Sequence, residues 1–229
     1  MFPVKDYVVV PDHHSATPYH TLIFFFALIA AVDVLKFVTT TAIGLTLYVT
    51  FHVVVYRLSE TYRMESQAVE LLTVLRNPNA SIDTKIACLA NLKSDIKQKN
   101  VPETAIPPIF EGTRLAIAAQ HSSLCSAGFS ALGHFLKRLY IQEFDSVIAA
   151  SARQFYSLLL ERLGDHKERL RIQSAQAFTD FYPAAPEEVE HHVLDVALVG
   201  KNPRAKEMSM TWLVTVSFFC NPRSIQPLT

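Results

Sequence analysis

The chain has 229 residues, half of them hydrophobic, with 21 basic against 21 acidic side chains, six glycines and twelve prolines. That length buries a core in one domain, or in one domain with an appended segment. The charge balance excludes a polyelectrolyte built for non-specific nucleic-acid binding, so any electrostatic function is local. With so little glycine, and prolines set mostly between periodic segments, a β-sandwich and a Gly-rich nucleotide-binding fold are also excluded, and an all-α chain is predicted.

Residues 1–63 differ in kind from the rest. From Thr21 to Tyr56 formal charge interrupts the apolar sequence only at Asp33 and Lys36, and Phe37 to Tyr56 is an uncharged run of 20 residues, the length that spans the hydrocarbon core of a bilayer. Arg57 and Arg63 follow, which by the positive-inside tendency places the next segment in the cytoplasm. A cleaved signal peptide does not fit, because the start is not basic and the apolar stretch is too long and too late. Two readings stay open: a membrane anchor that presents a cytosolic domain, or translated sequence upstream of a native start at Met64, where Met64-Glu65 reads as the opening of a helix. The β-branched residues Val38, Thr39, Thr40, Thr41, Ile43, Thr46, Val49 and Thr50 make the run an indifferent helix by propensity.

From Met64 the pattern becomes regular. Ala68, Leu71, Leu72 and Leu75 make a short amphipathic helix that stops at Asn77-Pro78-Asn79. Ser81 is the N-cap of a second, carrying Ile82, Ile86, Leu89 and Ile96, with Lys85, Lys93, Lys97 and Lys99 on or near its wet side, closed by Asn100-Val101-Pro102. A third runs from about Ile106 through Ile109, Leu115 and Ile117 to Gln120-His121-Ser122. A fourth carries Leu124, Gly128, Ala131, Phe135 and Leu139, and its Gly128 and Gly133 mark close packing against a neighbouring helix at a propensity cost of about 1 kcal/mol each.

A fifth helix holds Ile148, Ala152, Phe155, Leu159 and Leu163 on one stripe, and a sixth continues with Leu170, Ser174, Ala177, Phe178 and Phe181. The turn between them has Gly164 for backbone freedom at a helix end, Asp165 to accept the free amides of the next helix, and Glu168 to reach back as in a capping box. After Pro183, Pro186-Glu187-Glu188 restarts the chain with proline at a first helical position and acids where the helix dipole favours them. Val189, Val193, Leu194 and Ala197 form this seventh helix, which ends near Gly200, and Asn202-Pro203 caps an eighth carrying Met208, Trp212 and Leu213 to about Val216, with Trp212 in the core.

These helices fall into pairs. The turns within successive pairs lie at Asn77 to Ser81, Gln120 to Ser122, Gly164 to His166 and Gly200 to Asn202, and the steps from Asn79 to His121, Asp165 and Asn202 are 42, 44 and 37 residues. That is the period of HEAT or armadillo repeats, and it predicts an α-solenoid of about four pairs whose equivalent turns share one edge. The last two turns carry His166, Lys167, Arg169 and Arg171, then Lys201, Arg204 and Lys206 with no acid from 201 to 206. Cations in the first turn of a helix oppose its dipole by about 0.3 to 1 kcal/mol each, so Lys167, Arg204 and Lys206 sit where stability alone would not put them. Either they form an ordinary solvated face, or they dock on an acidic protein surface.

The stretches Leu163-Gly164-Asp165-His166-Lys167-Glu168-Arg169-Leu170-Arg171, Ala175-Gln176-Ala177-Phe178 and Gly200 to Met208 through Trp212-Leu213 resemble the first TOG domain of a CLASP protein. Leu132-Gly133-His134-Phe135-Leu136-Lys137-Arg138-Leu139 and Ser94 to Pro102 are similar to fungal members, and the resemblance covers about Met64 to Val216. It implies a TOG-type array of HEAT repeats in a microtubule-stabilising protein of the mitotic spindle and kinetochore, found in cytoplasm, cytoskeleton and nucleus, with tubulin or microtubules as partner, no nucleic acid, and no cofactor. Carried over by position, the tubulin-facing residues are Asn79 and Ala80 in the first turn and Gln120 and His121 in the second. His166, Lys167 and Arg169 follow in the third, and Lys201, Asn202, Arg204 and Lys206 in the fourth. Two features depart from the family. Many tubulin-binding TOG domains place a tryptophan in the first turn, where this chain reads Asn79-Ala80-Ser81, and a full TOG domain has about six pairs, whereas this chain leaves the pattern at Ser217. Residues 64–216 are accordingly read as a partial TOG domain between an apolar extension, 1–63, and an unrelated tail, 217–229, in a truncated product or incomplete gene model.

No Gly-x-Gly-x-x-Gly, P-loop, Gly-x-Ser-x-Gly or His-Glu-x-x-His occurs, so no enzyme is indicated. The adjacent pairs His13-His14 and His191-His192 point about 100° apart on a helix and are poor joint metal ligands. Cys88, Cys125 and Cys220 are too few and scattered for a disulfide framework, and Cys88 and Cys125 are read as buried structural thiols. The alternative to a microtubule-binding module is a membrane-anchored HEAT adaptor for another acidic protein.

Overall fold

The structure, a computed structural model, describes residues 18–219 and divides after Arg57 into two compact units. His13, His14, Cys220 and residues 220–229 lie outside the described residues. Every described residue with regular structure is helical: α1 (Pro18–Arg76), α2 (Ile82–Gln98), α3 (Ile106–Ala118), α4 (Ser122–Ile141), α5 (Asp145–Ala152), α6 (Tyr156–Leu163), α7 (Glu168–Phe181), α8 (Pro186–Glu190) and α9 (Pro203–Phe219). A 3₁₀ turn precedes α3, and a π-helix, His191–Leu198, continues α8.

The first unit holds the apolar part of α1. Side chains from Ala30 to Tyr56 are exposed throughout. Its threonines do not disturb the helix, because their hydroxyls bond back to carbonyls one turn earlier: Thr40 to Lys36 at 2.8 Å, Thr41 to Phe37 at 2.8 Å, Thr46 to Ala42 at 2.8 Å and Thr50 to Thr46 at 2.7 Å. Back-bonding of this kind offsets part of the propensity deficit expected from β-branching. No helix starts at Met64, because α1 runs through it without a break.

The second unit is the predicted solenoid of four helix pairs: the end of α1 with α2, joined by the ion pairs Arg63–Asp95 at 3.5 Å and Glu60–Lys99 at 2.6 Å, α3 with α4, α5–α6 with α7, and α8 plus the π-helix with α9. The second helices of the pairs stack side by side in the order α2, α4, α7, α9. They also run in the same direction. Arg138, near the end of α4, donates from Nε to the carbonyl of Ile96 at 2.9 Å and from its second amino group to that of Lys97, both at the end of α2. Tyr140 donates to the carbonyl of Asp180, at the end of α7, at 2.9 Å. Helix ends leave four carbonyls without partners, so α4 meets orphan acceptors at the ends of both its neighbours, α2 and α7, which fixes the stacking register of the three. Gln142 closes the same edge, accepting from Val101 N–H and donating to Val101 C=O, both at 2.9 Å.

Between the first and second helices lies a continuous core. Phe110, Phe135, Phe155 and Phe181 link α3, α4, the α5–α6 junction and α7 by ring contacts at 4.7, 5.9 and 5.5 Å. Trp212 is buried, as expected, with its ring edge-on to Tyr182 at 5.8 Å. Cys125 is buried and its thiol is pushed up to about 11 by that burial, whereas Cys88 is only half-buried.

Two predicted helices differ. The fifth is not continuous: Gln154 and Phe155 donate to the carbonyls three residues back, Ser151 at 3.1 Å and Ala152 at 2.8 Å, and the chain tightens into a turn between α5 and α6. All five stripe residues from Ile148 to Leu163 nevertheless stay buried, so the hydrophobic pattern survives the break that it could not reveal. The seventh passes into a π-helix, and its acids have specific partners beyond the helix dipole: Glu188 takes Arg153 at 2.6 Å and Glu190 accepts from Tyr182 at 2.7 Å.

The two glycines of α4 separate on inspection. A Cβ at Gly128 would lie 2.9 Å from the Ala116 Cβ and 3.1 Å from the Ile117 backbone nitrogen, the close packing expected, but one at Gly133 meets only an Asp180 carboxylate oxygen at 3.2 Å. In urea denaturation, Gly128→Ala should therefore destabilise by about 1 to 2 kcal/mol, because an overpacking cost of ~1–3 kcal/mol outweighs the ~1 kcal/mol propensity gain. Gly133→Ala should be neutral or stabilising. Equal shifts for the two would contradict the packing described.

Candidate functional site

Because the second helices run in parallel, the turns that precede them emerge on one edge of the solenoid. Two side chains tie three of those turns together. Arg162, at the end of α6, donates to the carbonyls of Ile117, Ala118 and Ala119 at 3.1, 3.0 and 3.1 Å, satisfying the orphan acceptors at the end of α3. Its remaining amino group reaches Asp165 Oδ2 at 3.2 Å, and the two side chains are only 11% and 9% exposed. Burial pushes the Asp165 carboxyl up, but the backbone N–H of Lys167, Arg162 and His166 outweigh it and hold it below its ordinary range. Asn202, in the fourth turn, donates to the carbonyl of Gly164 in the third at 3.4 Å.

The turn at Gly164 is built differently from its sequence reading. Gly164 has φ −94°, an ordinary conformation, so backbone freedom is not its use. A Cβ there would come within 2.1 Å of Asn202 Nδ2, so a larger residue would displace the Asn202 side chain from its place against this turn. Asp165 accepts from Lys167 N–H at 2.8 Å, which closes the turn, and neither it nor Glu168 caps α7, whose N-cap, Lys167, has no side-chain bond. Asp165 is committed to Arg162, and that commitment displaces the expected capping box. By contrast, the predicted caps at Ser81 and Asn202 are present: Ser81 Oγ accepts from Thr84 N–H at 3.1 Å, and Asn202 Oδ1 accepts from Arg204 and Ala205 at 3.0 and 3.4 Å.

On this edge Asn79, Gln120, His121, His166, Lys167, Arg169, Lys201, Asn202, Arg204 and Lys206 are exposed, and Ala80 is half-buried. Asn202 and His166 have structural partners, the latter Asp165 at 3.1 Å. Lys167, Arg169, Lys201, Arg204 and Lys206 have no acidic partner among the described residues. Arg171 is turned inward, donating to the carbonyls of Asp165 and His166 at 3.1 and 3.3 Å. The sequence reading also missed that Lys93 of α2 reaches across to Ser130 of α4 at 3.4 Å, and that a groove opens there. Only the stacking of α2 on α4 brings those residues together.

Among the described residues no group of three His, Cys, Asp or Glu side chains is placed to hold a metal ion. His191 pairs with Asp195 at 2.9 Å, while His192 stacks on Tyr156 at 4.2 Å and contacts the Glu188 carbonyl.

This architecture, parallel-stacked helix pairs with turns keyed along one edge, is that of an all-α HEAT-like solenoid. The CLASP N-terminal family model matches residues 64–219, more than half of the sequence, and the chain belongs to that family. It is 67% identical over 154 residues to Protein stu1 of Aspergillus fumigatus, 64% identical over 154 residues to Protein STU1 of Coccidioides immitis, and 27% identical over 163 residues to Protein STU1 of Debaryomyces hansenii. These alignments cover 67%, 67% and 69% of this chain but only 12%, 12% and 11% of the relatives. No solved structure matches.

The edge depends on Arg162. Arg162→Ala leaves three helix-end carbonyls and a buried carboxylate without their donor, and should cost about 3 kcal/mol in urea denaturation. Combined with Asp165→Asn, the losses should fall short of additive. A loss below about 1 kcal/mol for Arg162→Ala would contradict the role assigned to it.

Proposed function

We propose that this chain carries a non-catalytic microtubule-binding module of a CLASP-like, microtubule-stabilising protein, acting at the spindle and kinetochore in cytoplasm and nucleus. The observation that carries the reading is the pair of adjacent basic turns on the keyed edge: Lys167 and Arg169 in one, Lys201, Arg204 and Lys206 in the next, all exposed and without acidic partners among the described residues. Leaving five cations unpaired, four of them (Lys167, Arg169, Arg204 and Lys206) at a helix N-terminus against its dipole, gains nothing for folding and suits an acidic protein surface such as tubulin. Asn79, Ala80, Gln120 and His121 extend the same contact across the first two turns without charge. The family membership supports the partner.

Full-length chain, kept soluble in mild non-ionic detergent, should pellet with microtubules. A variant with Lys167, Arg169, Lys201, Arg204 and Lys206 all changed to glutamate should bind at least about tenfold more weakly, and wild-type binding should weaken with added salt. Equal pelleting of the two would sink the edge.

A second reading adds a membrane anchor. α1 is the helix among the described residues that is long and apolar enough to cross a bilayer; its side chains from Ala30 to Tyr56 are exposed and its threonine hydroxyls are satisfied within the helix. With these threonine hydroxyls bonded to its own backbone, such a helix suits hydrocarbon. The full chain should then stay with membranes through an alkaline carbonate wash, and release would exclude the anchor.

A further inference from the structure

Behind the basic edge, between α4 and α7, lies a groove of about 430 Å³ whose lining carries no acidic residue. Two helices supply its charge: Lys93 from α2, and Lys167 and Arg169 from the start of α7. Its floor is polar, with Ser126 nine-tenths buried and accepting from Gln173 Nε2 at 3.0 Å, and Ser130 taking the Lys93 ammonium. Gln173 Oε1 is buried and unpartnered. The serines at the start of α4 open onto the groove with the positive end of a 20-residue helix behind them. A second hollow of about 250 Å³ continues it along the same two helices, sharing Ser130 and Gln173 and adding His134 and Lys137; Phe129 and Asp180 also line it, the latter accepting from Gln176 at 2.9 Å, so the acid-free stretch is the first groove alone. The density of positive charge is felt at His134, which burial, then Lys97, Lys93 and Lys137, push below its ordinary pKa.

We infer that this groove is a binding site for an extended acidic peptide segment, whose glutamate or aspartate carboxylates sit between Lys93, Lys167 and Arg169. Its volume falls in the range of about 300 to 1,000 Å³ that takes a ligand larger than one carboxylate. Serine hydroxyls and Lys93 donate to an oxyanion, and no carboxylate in the lining competes. A single nucleic-acid strand fits less well, because the groove has no aromatic ring on which a base could stack, and Phe129 in the adjoining hollow is buried. Lys167 and Arg169 are shared with the edge assigned to microtubules, whereas Lys93 belongs to the groove and Lys201 and Lys206 to the edge, so variants at those unshared residues separate peptide binding from cosedimentation.

The test is fluorescence anisotropy of the full chain with a labelled ten-residue Glu-rich peptide, its Gln counterpart, and a thymidine oligonucleotide of equal charge. The Glu peptide should bind at least about tenfold tighter than either of the others. Lys93→Gln with Lys167→Gln should weaken it about tenfold, whereas Lys201→Gln with Lys206→Gln, an equal loss of charge on the next turn, should change it less than about twofold. Ser123→Asp places an acid where the α4 dipole tolerates it, preserving the fold by circular dichroism while repelling the peptide. Equal losses from the two lysine pairs, undiminished binding by Ser123→Asp, or an oligonucleotide that binds as tightly as the peptide would each overturn the assignment.

Discussion

Much of this solenoid depends on one guanidinium group. Arg162 occupies the junction of three elements, meeting the helix-end carbonyls of the second pair with one side of its fork and Asp165 of its own turn with the other. A lysine cannot do this, because a single ammonium has neither the planar fork nor the number of fixed donors. On the opposite edge Arg138 and Gln142 join the second pair to the first and Tyr140 joins it to the third, so the second and third pairs are locked at both ends as well as through the phenylalanine core. Stability in a repeat array is shared between neighbours in this way, and side chains that satisfy another pair's backbone supply the interface term.

The consequence for function is rigidity of spacing. Exposed cations on long side chains gain little as single surface charges, but placed on consecutive turns whose separation is fixed they act together. Asn202 illustrates how closely the parts are matched: it caps α9, bonds to Gly164, and occupies the space a Cβ at position 164 would take. The basic rungs are thus mounted on a frame whose own charged groups, Arg162 and Asp165, are paired inward and do not compete for a partner.

The helix pairs, their period and nearly all of the core were legible from the sequence, since apolar residues at helical spacing require a buried stripe. Trp212, Phe178 and Gly128 lie where that logic puts them. Contacts made across pairs were not legible. Nothing local says that Arg162 faces Ile117, that Gly164 faces Asn202, or that Lys93 joins Arg169 at one groove, because each is a product of stacking register. The break at Arg153–Phe155 escaped for a related reason: tightened bonds shift the backbone yet return the stripe to the same face. The misread turn has a mixed cause: the partner that takes Asp165, Arg162, is only three residues away, but what fixes that guanidinium in place is its bonding to the distant α3 carbonyls.

Hydrogen–deuterium exchange of the full chain with and without microtubules tests the central claim most directly. Protection should appear in the turns around residues 118–122, 164–169 and 200–206 and be absent from the opposite edge around residues 99–105 and 182–185. Protection on that opposite edge, or none at any turn, would contradict the account.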